Sequence, residues 1–119
     1  MGIEHLAGFY ADSWIGGDRG AVRHLLAPDA ELEWNLDLAI DEEELIQTLH
    51  RIAQFADGVT VVAKAFHDDG AAFVYDCVAP FGTARMAEFL TVAGGRITEV
   101  RQIYDLVALD RYFPGLVDG

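Results

Sequence analysis

The sequence predicts one α+β domain over residues 1–119, in which N-terminal helices and a curved, mixed but mainly antiparallel sheet form a cone around a pocket. Apolar residues recur at helical spacing in the first half of the chain. The second half holds β-branched and alternating segments joined by short turns. The chain has 119 residues, of which 52% are hydrophobic, enough for one core. Helices followed by a run of strands are typical of α+β folds.

Three helices are predicted, each with its own start or stop signal. Their predicted ranges are Ile3 to Ile15, a short helix after Asp18 that includes Leu26, and about Glu42 to Phe55. Gly16 ends the first helix, because glycine accepts the backbone conformation common at helix stops. Asp18 caps the second helix and Pro28 stops it. Asp41 with Glu44 is a variant of the capping box that begins the third.

Five strands are predicted, with the last four forming a meander. They are Glu31 to Leu36, Val59 to Phe66, Ala71 to Ala79, Arg85 to Ala93 and Arg96 to Leu106. The connections between the last four strands are short, and Gly94-Gly95 reads as a tight hairpin turn. Consecutive strands with such short turns pair antiparallel.

Alternation along each strand assigns side chains to faces. The groups that share a face are Phe73, Tyr75 and Cys77; Glu88, Leu90 and Val92; and Val100, Gln102 and Tyr104. Several strands are apolar on both faces, so both faces must be covered. We expect helices on one face and a second copy of the chain on the other, which predicts a homodimer.

The composition restricts the partners. Eight basic and twenty acidic residues give a net charge of −12, which repels nucleic-acid phosphates and anionic membranes. No apolar run approaches the roughly 18 residues of a membrane span, and no signal peptide is recognised. One cysteine, and histidines without ligand spacing, predict no disulfide, metal or other cofactor. The expected location is the cytoplasm.

Two segments resemble a known superfamily. They are Tyr10 to Leu36, reading YADSWIGGDRGAVRHLLAPDAELEWNL, and Gly94 to Leu109, reading GGRITEVRQIYDLVAL. Their order of elements is similar to that of the cystatin-like, nuclear-transport-factor-2-like superfamily. The elements are an aromatic helix, a Gly-Asp turn, a short helix ending in Ala-Pro-Asp-Ala, a strand and a final hairpin. The superfamily includes SnoaL-like polyketide cyclases, ketosteroid isomerases and limonene-epoxide-hydrolase-like enzymes. The resemblance covers nearly the whole chain and implies the fold, while this fold hosts both enzymes and binders.

The resemblance implies catalytic roles for Tyr10 and Glu88. Tyr10 lies at the spacing of the superfamily's oxyanion tyrosine, and Glu88 lies where a protonated aspartate is the second oxyanion donor. Trp34 occupies the place of the superfamily's catalytic base. Without that base the reaction would lose about 10²–10⁴-fold in rate, the usual contribution of general acid–base catalysis. Ketosteroid isomerase activity itself is therefore not predicted.

Glu88 is also a candidate acid or base from its own context, because it interrupts an apolar strand and burial would raise its pKa. The alternative is a strand-edge carboxylate, or an ion pair with Arg85 or Arg101. The predicted substrate-binding residues are Trp14, Trp34, Tyr75, Cys77, Gln102 and Tyr104. For the aromatic residues the alternative is ordinary core packing, and for Cys77 it is a small buried hydrophobic residue.

Three functions stay open at this point. The first is an enzyme that isomerises, cyclises, dehydrates or hydrolyses a small apolar molecule. The second is a non-catalytic binder of such a molecule in the same pocket. The third is a dimeric interaction module whose cavity is filled by Trp14, Trp34 and Tyr75.

Overall fold

A computed structural model describes residues 2–35, 38–80 and 82–104. In these ranges the chain forms three helices and a six-stranded sheet. The helices are α1 (Ile3–Ile15), α2 (Arg19–Leu25) and α3 (Glu42–Phe55). The strands are β1 (Leu26–Trp34), β2 (Leu38–Ala39), β3 (Gly58–His67), β4 (Gly70–Ala79), β5 (Gly82–Ala93) and β6 (Arg96–Tyr104). The predicted α+β class is confirmed.

The sheet has the strand order β2-β1-β6-β5-β4-β3. Strands β3 to β6 form the predicted antiparallel meander. Strand β1 runs parallel to β6, which makes the sheet mixed. Gly94 and Gly95 turn β5 into β6 with φ of 62° and 76°, values that glycine adopts with little strain.

The predicted helix caps are present. The Asp18 carboxylate accepts a hydrogen bond of 3.0 Å from the Ala21 amide at the start of α2. At α3, the Asp41 side chain accepts 2.8 Å from the Glu44 amide, and Glu44 completes the capping box. These local bonds satisfy amides that have no partner within the helix, so the caps favour the observed starts of α2 and α3.

The first strand is longer than predicted, and Pro28 does not mark a boundary. Strand β1 begins at Leu26 rather than Glu31, so Leu26 belongs to the strand and not to α2. The register between β1 and β6 shifts between Leu26 and Glu31, and Pro28 lies in this irregular stretch. A proline has no amide hydrogen to donate, which a bulged part of a strand tolerates.

One further strand start differs from the prediction, and strand β2 was not predicted. Strand β5 begins at Gly82, not Arg85, because Gly82 and Thr83 pair with Ala79 and Val78 of β4. Glycine has low strand propensity, so this pairing was not visible in the local sequence. The two-residue β2 is too short to show periodicity. The predicted strand ends at Leu36 and Leu106 lie outside the described residues.

The helices cover one face of the sheet, here called the inner face. Helix α1 contacts β3 and β4, and also packs against α2 and α3. The core includes Leu6, Tyr10 and Trp14 from α1 and Leu45, Leu49 and Ile52 from α3. Within the described ranges, the helices are too short or too polar to span a lipid bilayer.

Candidate functional site

Polar side chains occupy two neighbouring rows in the middle of the inner face. One row across the strands is Trp34, Gln102, Glu88 and Phe73, and the next is Tyr104, Met86 and Tyr75. The row on one side is Leu32, Val100, Leu90 and Ala71, and the row on the other includes Ala84 and Cys77. The polar groups are therefore enclosed by apolar rows. Burial confirms the face assignment predicted for β4 and β6.

Glu88 is the centre of these polar groups. Its side chain is 0% exposed. The Tyr10 hydroxyl donates to Oε2 at 2.6 Å, and the Tyr75 hydroxyl donates to Oε1 at 2.7 Å. The Gln102 amide donates to Oε2 at 2.7 Å. Three neutral donors from α1, β4 and β6 thus converge on one buried carboxylate.

A second layer of contacts surrounds these donors. The Trp14 indole donates to the Tyr75 hydroxyl at 3.4 Å, and the two rings meet edge to face with centroids 4.9 Å apart. The Tyr104 hydroxyl donates to the Gln102 carbonyl oxygen. Each donor to Glu88 except Tyr10 is thereby held by another buried side chain. We call the set of six side chains the Glu88 cluster: Tyr10, Trp14, Tyr75, Glu88, Gln102 and Tyr104.

The cluster depends on helix α1 as much as on the sheet. Tyr10 and Trp14 are four positions apart, so they lie on the same side of α1 and point toward the sheet together. Both are buried. The α1 helix therefore supplies one direct donor and one supporting donor across 78 and 61 positions of sequence.

Two opposing effects act on the charge of Glu88. Burial raises its pKa above the ordinary value, because the charged form loses its hydration. The hydrogen bonds from Tyr10, Gln102 and Tyr75 lower it, because they stabilise the carboxylate. The net direction is upward. A carboxyl group with a raised pKa keeps its proton to a higher pH than an exposed one, which suits it to proton transfer.

The hydrogen-bond directions depend on that proton. With a charged Glu88, all three donors have an acceptor. A neutral Glu88 carries its own hydrogen, and a hydroxyl that accepts it must turn its own hydrogen elsewhere. Tyr75 already accepts from Trp14, so protonation of Glu88 changes bonds beyond the carboxyl itself. The cluster can therefore couple a proton on Glu88 to the orientation of the tyrosine hydroxyls.

The other ionisable groups in the interior stay neutral. Burial is the largest effect that raises the pKa values of Tyr10, Tyr75 and Tyr104, so their hydroxyls remain donors. Cys77 lies in the next row, and burial raises the pKa of its thiol to about 12. A thiol with that pKa is protonated at neutral pH and is a weak nucleophile.

Asn35 supports the cluster from outside it. Its backbone has φ of 48°, and its backbone N–H donates to the backbone carbonyl oxygen of Gln102 at 2.7 Å. The Asn35 side chain accepts from the Tyr104 amide at 2.8 Å. These bonds join the end of β1 to β6 beside Gln102 and Tyr104, so Asn35 positions two members of the cluster.

The alternative ion-pair partners of Glu88 are bonded elsewhere. Arg85 pairs with Asp76 at 2.7 Å, and Arg101 lies near Glu33 and Glu99 at 3.6 and 3.3 Å. Their strand alternation puts both arginines on the opposite, outer face. The hypothesis of a surface or ion-paired Glu88 is therefore wrong.

The predicted site residues divide into three groups. Tyr10, Tyr75 and Gln102 contact Glu88 directly, and Trp14 and Tyr104 contact those donors. The third group is Trp34 and Cys77: Trp34 is half-buried, with its ring 6.2 Å from that of Tyr104, and Cys77 is buried in the row beyond Tyr75. The direct Tyr75–Glu88 bond was missed, because it depends on the exact register of β4 and β5. The roles of all these predicted site residues toward a ligand stay predictions.

The cavities lined by described residues lie away from Glu88. One of about 230 Å³ lies between β1 and the start of α3 and is lined by Leu26, Ala27, Pro28, Ala30, Leu32, Ile40, Asp41 and Glu42. Another of about 10 Å³ lies near Trp14, Val22 and His50. The predicted pocket between α1 and the sheet thus stays a prediction. Within the described ranges, no group of three His, Cys, Asp or Glu side chains could hold a metal ion.

Comparisons with known proteins identify the fold. No protein-family model and no curated relative matches the sequence. An NTF2-like protein of unknown function from Cytophaga hutchinsonii superposes with a TM-score of 0.69 at 12% identity, covering 87% of this chain and 90% of that one. A protein provisionally named a SnoaL-like polyketide cyclase, from Jannaschia, has a TM-score of 0.68 at 15% identity, covering 95% and 91%.

A third structure, provisionally named a ketosteroid isomerase and found in Kribbella flavida, has a TM-score of 0.69 at 22% identity. It covers 85% of this chain and 76% of its own. At such identities the likeness establishes architecture and not activity. The chain has the nuclear-transport-factor-2-like fold, shared with structures named as SnoaL-like polyketide cyclase and ketosteroid isomerase.

Proposed function

We propose that the protein binds a small, largely apolar molecule against the inner face of its sheet and uses Glu88 as an acid or base toward it. One observation carries the proposal: a fully buried carboxyl group with a raised pKa accepts hydrogen bonds from three neutral donors. Buried carboxyls with shifted pKa values are concentrated at functional sites. The apolar rows on either side of the cluster favour an apolar ligand.

The proposed chemistry is a single proton transfer. Neutral Glu88 gives its hydrogen to a ligand oxygen, the Glu88 O–H bond breaks, and the new O–H bond forms on the ligand. The negative charge that remains on the Glu88 carboxylate is stabilised by the donors still bonded to it, such as the Tyr75 hydroxyl. In the reverse direction the carboxylate removes a proton. Since Glu88 is fully buried, the ligand must first displace Tyr10 or Gln102 from it.

The reaction class is inferred more broadly. Proton transfer to and from a buried carboxyl serves isomerisation, cyclisation and hydrolysis alike. Structures of this fold carry names of a polyketide cyclase and a ketosteroid isomerase. We extend to this chain only their common feature, acid–base chemistry on an apolar substrate. Trp34 replaces the base of the isomerase pattern, so proton abstraction must fall to Glu88.

The experiment is a pH titration of the Glu88 carboxyl carbon by NMR, with Asp76 as the internal comparison. We expect Glu88 to titrate above its ordinary value of 4.5. Asp76 should titrate below its ordinary value of 3.8, because Arg85 donates a hydrogen bond to it. A Glu88 midpoint at or below 4.5 would contradict the acid–base role. Turnover of a small cyclic ketone by deuterium exchange, lost in Glu88→Gln but kept in Asp76→Asn, would support it.

A non-catalytic binder is the second candidate. The described members of the Glu88 cluster all have hydrogen-bond partners, as expected of a cluster that only shapes a pocket. A binder should be stabilised by apolar ligands equally in the parent chain and in Glu88→Gln. Loss of proton exchange in Glu88→Gln, with ligand binding retained, separates the enzyme from the binder.

We also propose that a second copy of the chain covers the outer face of the sheet. Val78, Phe89 and Ile103 are exposed there, with Phe89 44% exposed. The outer face also holds Arg85 paired with Asp76. In a chain of net charge −12, a face with paired charges repels a second copy least.

Self-association can be measured by analytical ultracentrifugation. Phe89→Asp should give a monomer, because it buries an unpaired charge in the interface. The matched control is Phe55→Asp on α3, where Phe55 is 62% exposed away from the sheet face. A parent chain that is monomeric at all concentrations, or equal dissociation by both variants, would overturn the homodimer.

A further inference from the structure

The Trp34 indole is a buried hydrogen-bond donor without a partner. Its Nε1 is shielded from solvent and has no hydrogen-bond partner among the described residues. An indole N–H can only donate. Buried donors are almost always paired, and since the described residues supply no acceptor here, a bound ligand is a candidate for that role.

Trp34 lies beside the proposed site and on the same face. It pairs in register with Gln102 of β6, and Gln102 pairs with Glu88 of β5. Adjacent strands are about 4.8 Å apart, so the backbone of Trp34 is roughly 10 Å from that of Glu88. A ligand that touches the Glu88 cluster is within reach of the Trp34 indole.

The described groups around Trp34 do not accept a hydrogen bond from its Nε1. Gln102 uses its amide on Glu88 and its carbonyl oxygen on Tyr104. The Tyr104 ring meets the Trp34 ring edge to face, with an interplanar angle of 89°. The side chains next to Trp34 on the inner face thus bond to each other and to Glu88, and none of them bonds to the Trp34 indole.

The missing acceptor is best matched by a neutral oxygen. An anionic ligand would meet Glu88 in a chain of net charge −12, and the arginines of the neighbouring strands, Arg85 and Arg101, pair with carboxylates on the outer face. Apolar rows border the cluster, so the rest of the ligand is expected to be hydrocarbon. A ketone carbonyl on a ring system combines both properties.

We infer that the Trp34 indole N–H is a ligand-binding donor that selects small apolar molecules carrying a neutral carbonyl oxygen. The inference rests on the proposed function, because it requires a ligand on the inner face. It assigns Trp34 to recognition and not to proton transfer. The same ring in a merely structural role would not distinguish a ketone from a hydrocarbon of the same shape.

The test uses three matched pairs of probes: cyclohexanone and cyclohexane, 1-tetralone and tetralin, and anthrone and 9,10-dihydroanthracene. Affinities are measured by ligand-observed NMR on the full chain. We expect at least one ketone to bind about threefold to tenfold more tightly than its hydrocarbon, the usual worth of one hydrogen bond. In Trp34→Phe, which keeps an aromatic ring, the two members of the pair should bind equally.

A second readout does not depend on the variant folding. The chain has two tryptophans, so the indole region of a ¹⁵N spectrum has two N–H signals. The ketone should move the Trp34 signal downfield, while the Trp14 signal, already bonded to Tyr75, serves as the internal reference.

The outcomes separate the two proposals. Equal binding of ketone and hydrocarbon, with the Trp34 signal unmoved, would overturn this inference and leave the apolar site intact. Binding of none of the six probes would overturn the apolar site and this inference together. A ketone preference that survives in Trp34→Phe would assign selection to another donor and also overturn the inference.

Discussion

Glu88 and Asp76 are carboxylates on adjacent strands that face opposite sides of the same sheet. Glu88 is 0% exposed on the inner face and has three neutral donors as partners. The Asp76 side chain is 23% exposed on the outer face and pairs with Arg85. Burial raises the pKa of Glu88, whereas the hydrogen bond from Arg85 lowers that of Asp76.

The comparison shows that hydrogen-bond partners and solvent exposure, and not the residue type, determine the pKa and the chemical role of a carboxylate. An exposed ion pair contributes little to stability, because water already solvates both charges. A buried carboxylate with neutral donors is costly to remove, because the donors lose their acceptor. Burial also changes the proton affinity of such a carboxylate.

Removing the two carboxylates, one at a time, should give the largest difference in the free energy of unfolding. Glu88→Ala leaves the hydrogens of Tyr10, Tyr75 and Gln102 without an acceptor and opens a cavity. We expect its free energy of unfolding to fall by about 3–5 kcal/mol. Asp76→Ala, measured at a concentration at which the chain is monomeric, is the control and should lose less than about 1 kcal/mol. Urea denaturation of both variants is the measurement, and equal losses would contradict the contrast.

Removal of one donor should have a smaller effect. Tyr10→Phe keeps the ring of Tyr10 in the core but takes away the shortest bond to Glu88. We expect a loss of about 1.5–3 kcal/mol, the range for a hydrogen bond to a charged group. The pKa of Glu88 should rise further, because the Tyr10 bond lowers it.

The control for Tyr10→Phe is Phe9→Leu at the neighbouring position, where the side chain is 50% exposed. A change within about 0.5 kcal/mol is expected there. If Tyr10→Phe changes neither stability nor the Glu88 titration, Tyr10 is not a donor to Glu88 in solution.

The pH dependence of stability should have opposite signs on the two faces. The folded chain binds the Glu88 proton more tightly than the unfolded chain, so this proton stabilises the fold. Its contribution to the free energy of unfolding is full below about pH 4.5 and is lost as pH rises through the folded pKa. The contribution of Asp76 is present above pH 3.8 and is lost as pH falls through its lowered pKa.

Thermal melts across pH of Glu88→Gln and Asp76→Asn measure these two slopes. Glu88→Gln should remove the loss of stability that Glu88 causes as pH rises. Asp76→Asn should remove the loss of stability that Asp76 causes as pH falls. Only the Asp76 effect should weaken in 1 M salt, because salt screens the exposed pair and not the buried cluster. Slopes of the same sign would overturn the comparison.

Much of the architecture was predictable because its signals are local. The bounds of α1 and α3 follow from apolar spacing and from the Asp41 capping box. The meander follows from short turns such as Gly94-Gly95, and strand alternation predicted that Gln102 and Tyr104 share a face. Where local signals were weak, as at Pro28, the prediction of the strand start was wrong.

The candidate site was predictable only in part. Glu88 was visible as a charge in an apolar strand, and Tyr10 was identified through the resemblance. Their bond joins residues 78 positions apart, which no local pattern encodes. The Trp34 N–H, which has no partner among the described residues, could not be predicted, because pairing is a property of the packed interior.

The sequence by itself determined the elements, their caps and the faces of the strands, because these depend on spacings of two to four residues. Only the tertiary structure decided which side chains meet, including the parallel pairing of β1 with β6 and the seating of α1 over Glu88. Those contacts depend on strand register and on burial summed over the whole core. The same carboxyl group would be an ordinary surface acid if α1 did not exclude water from it.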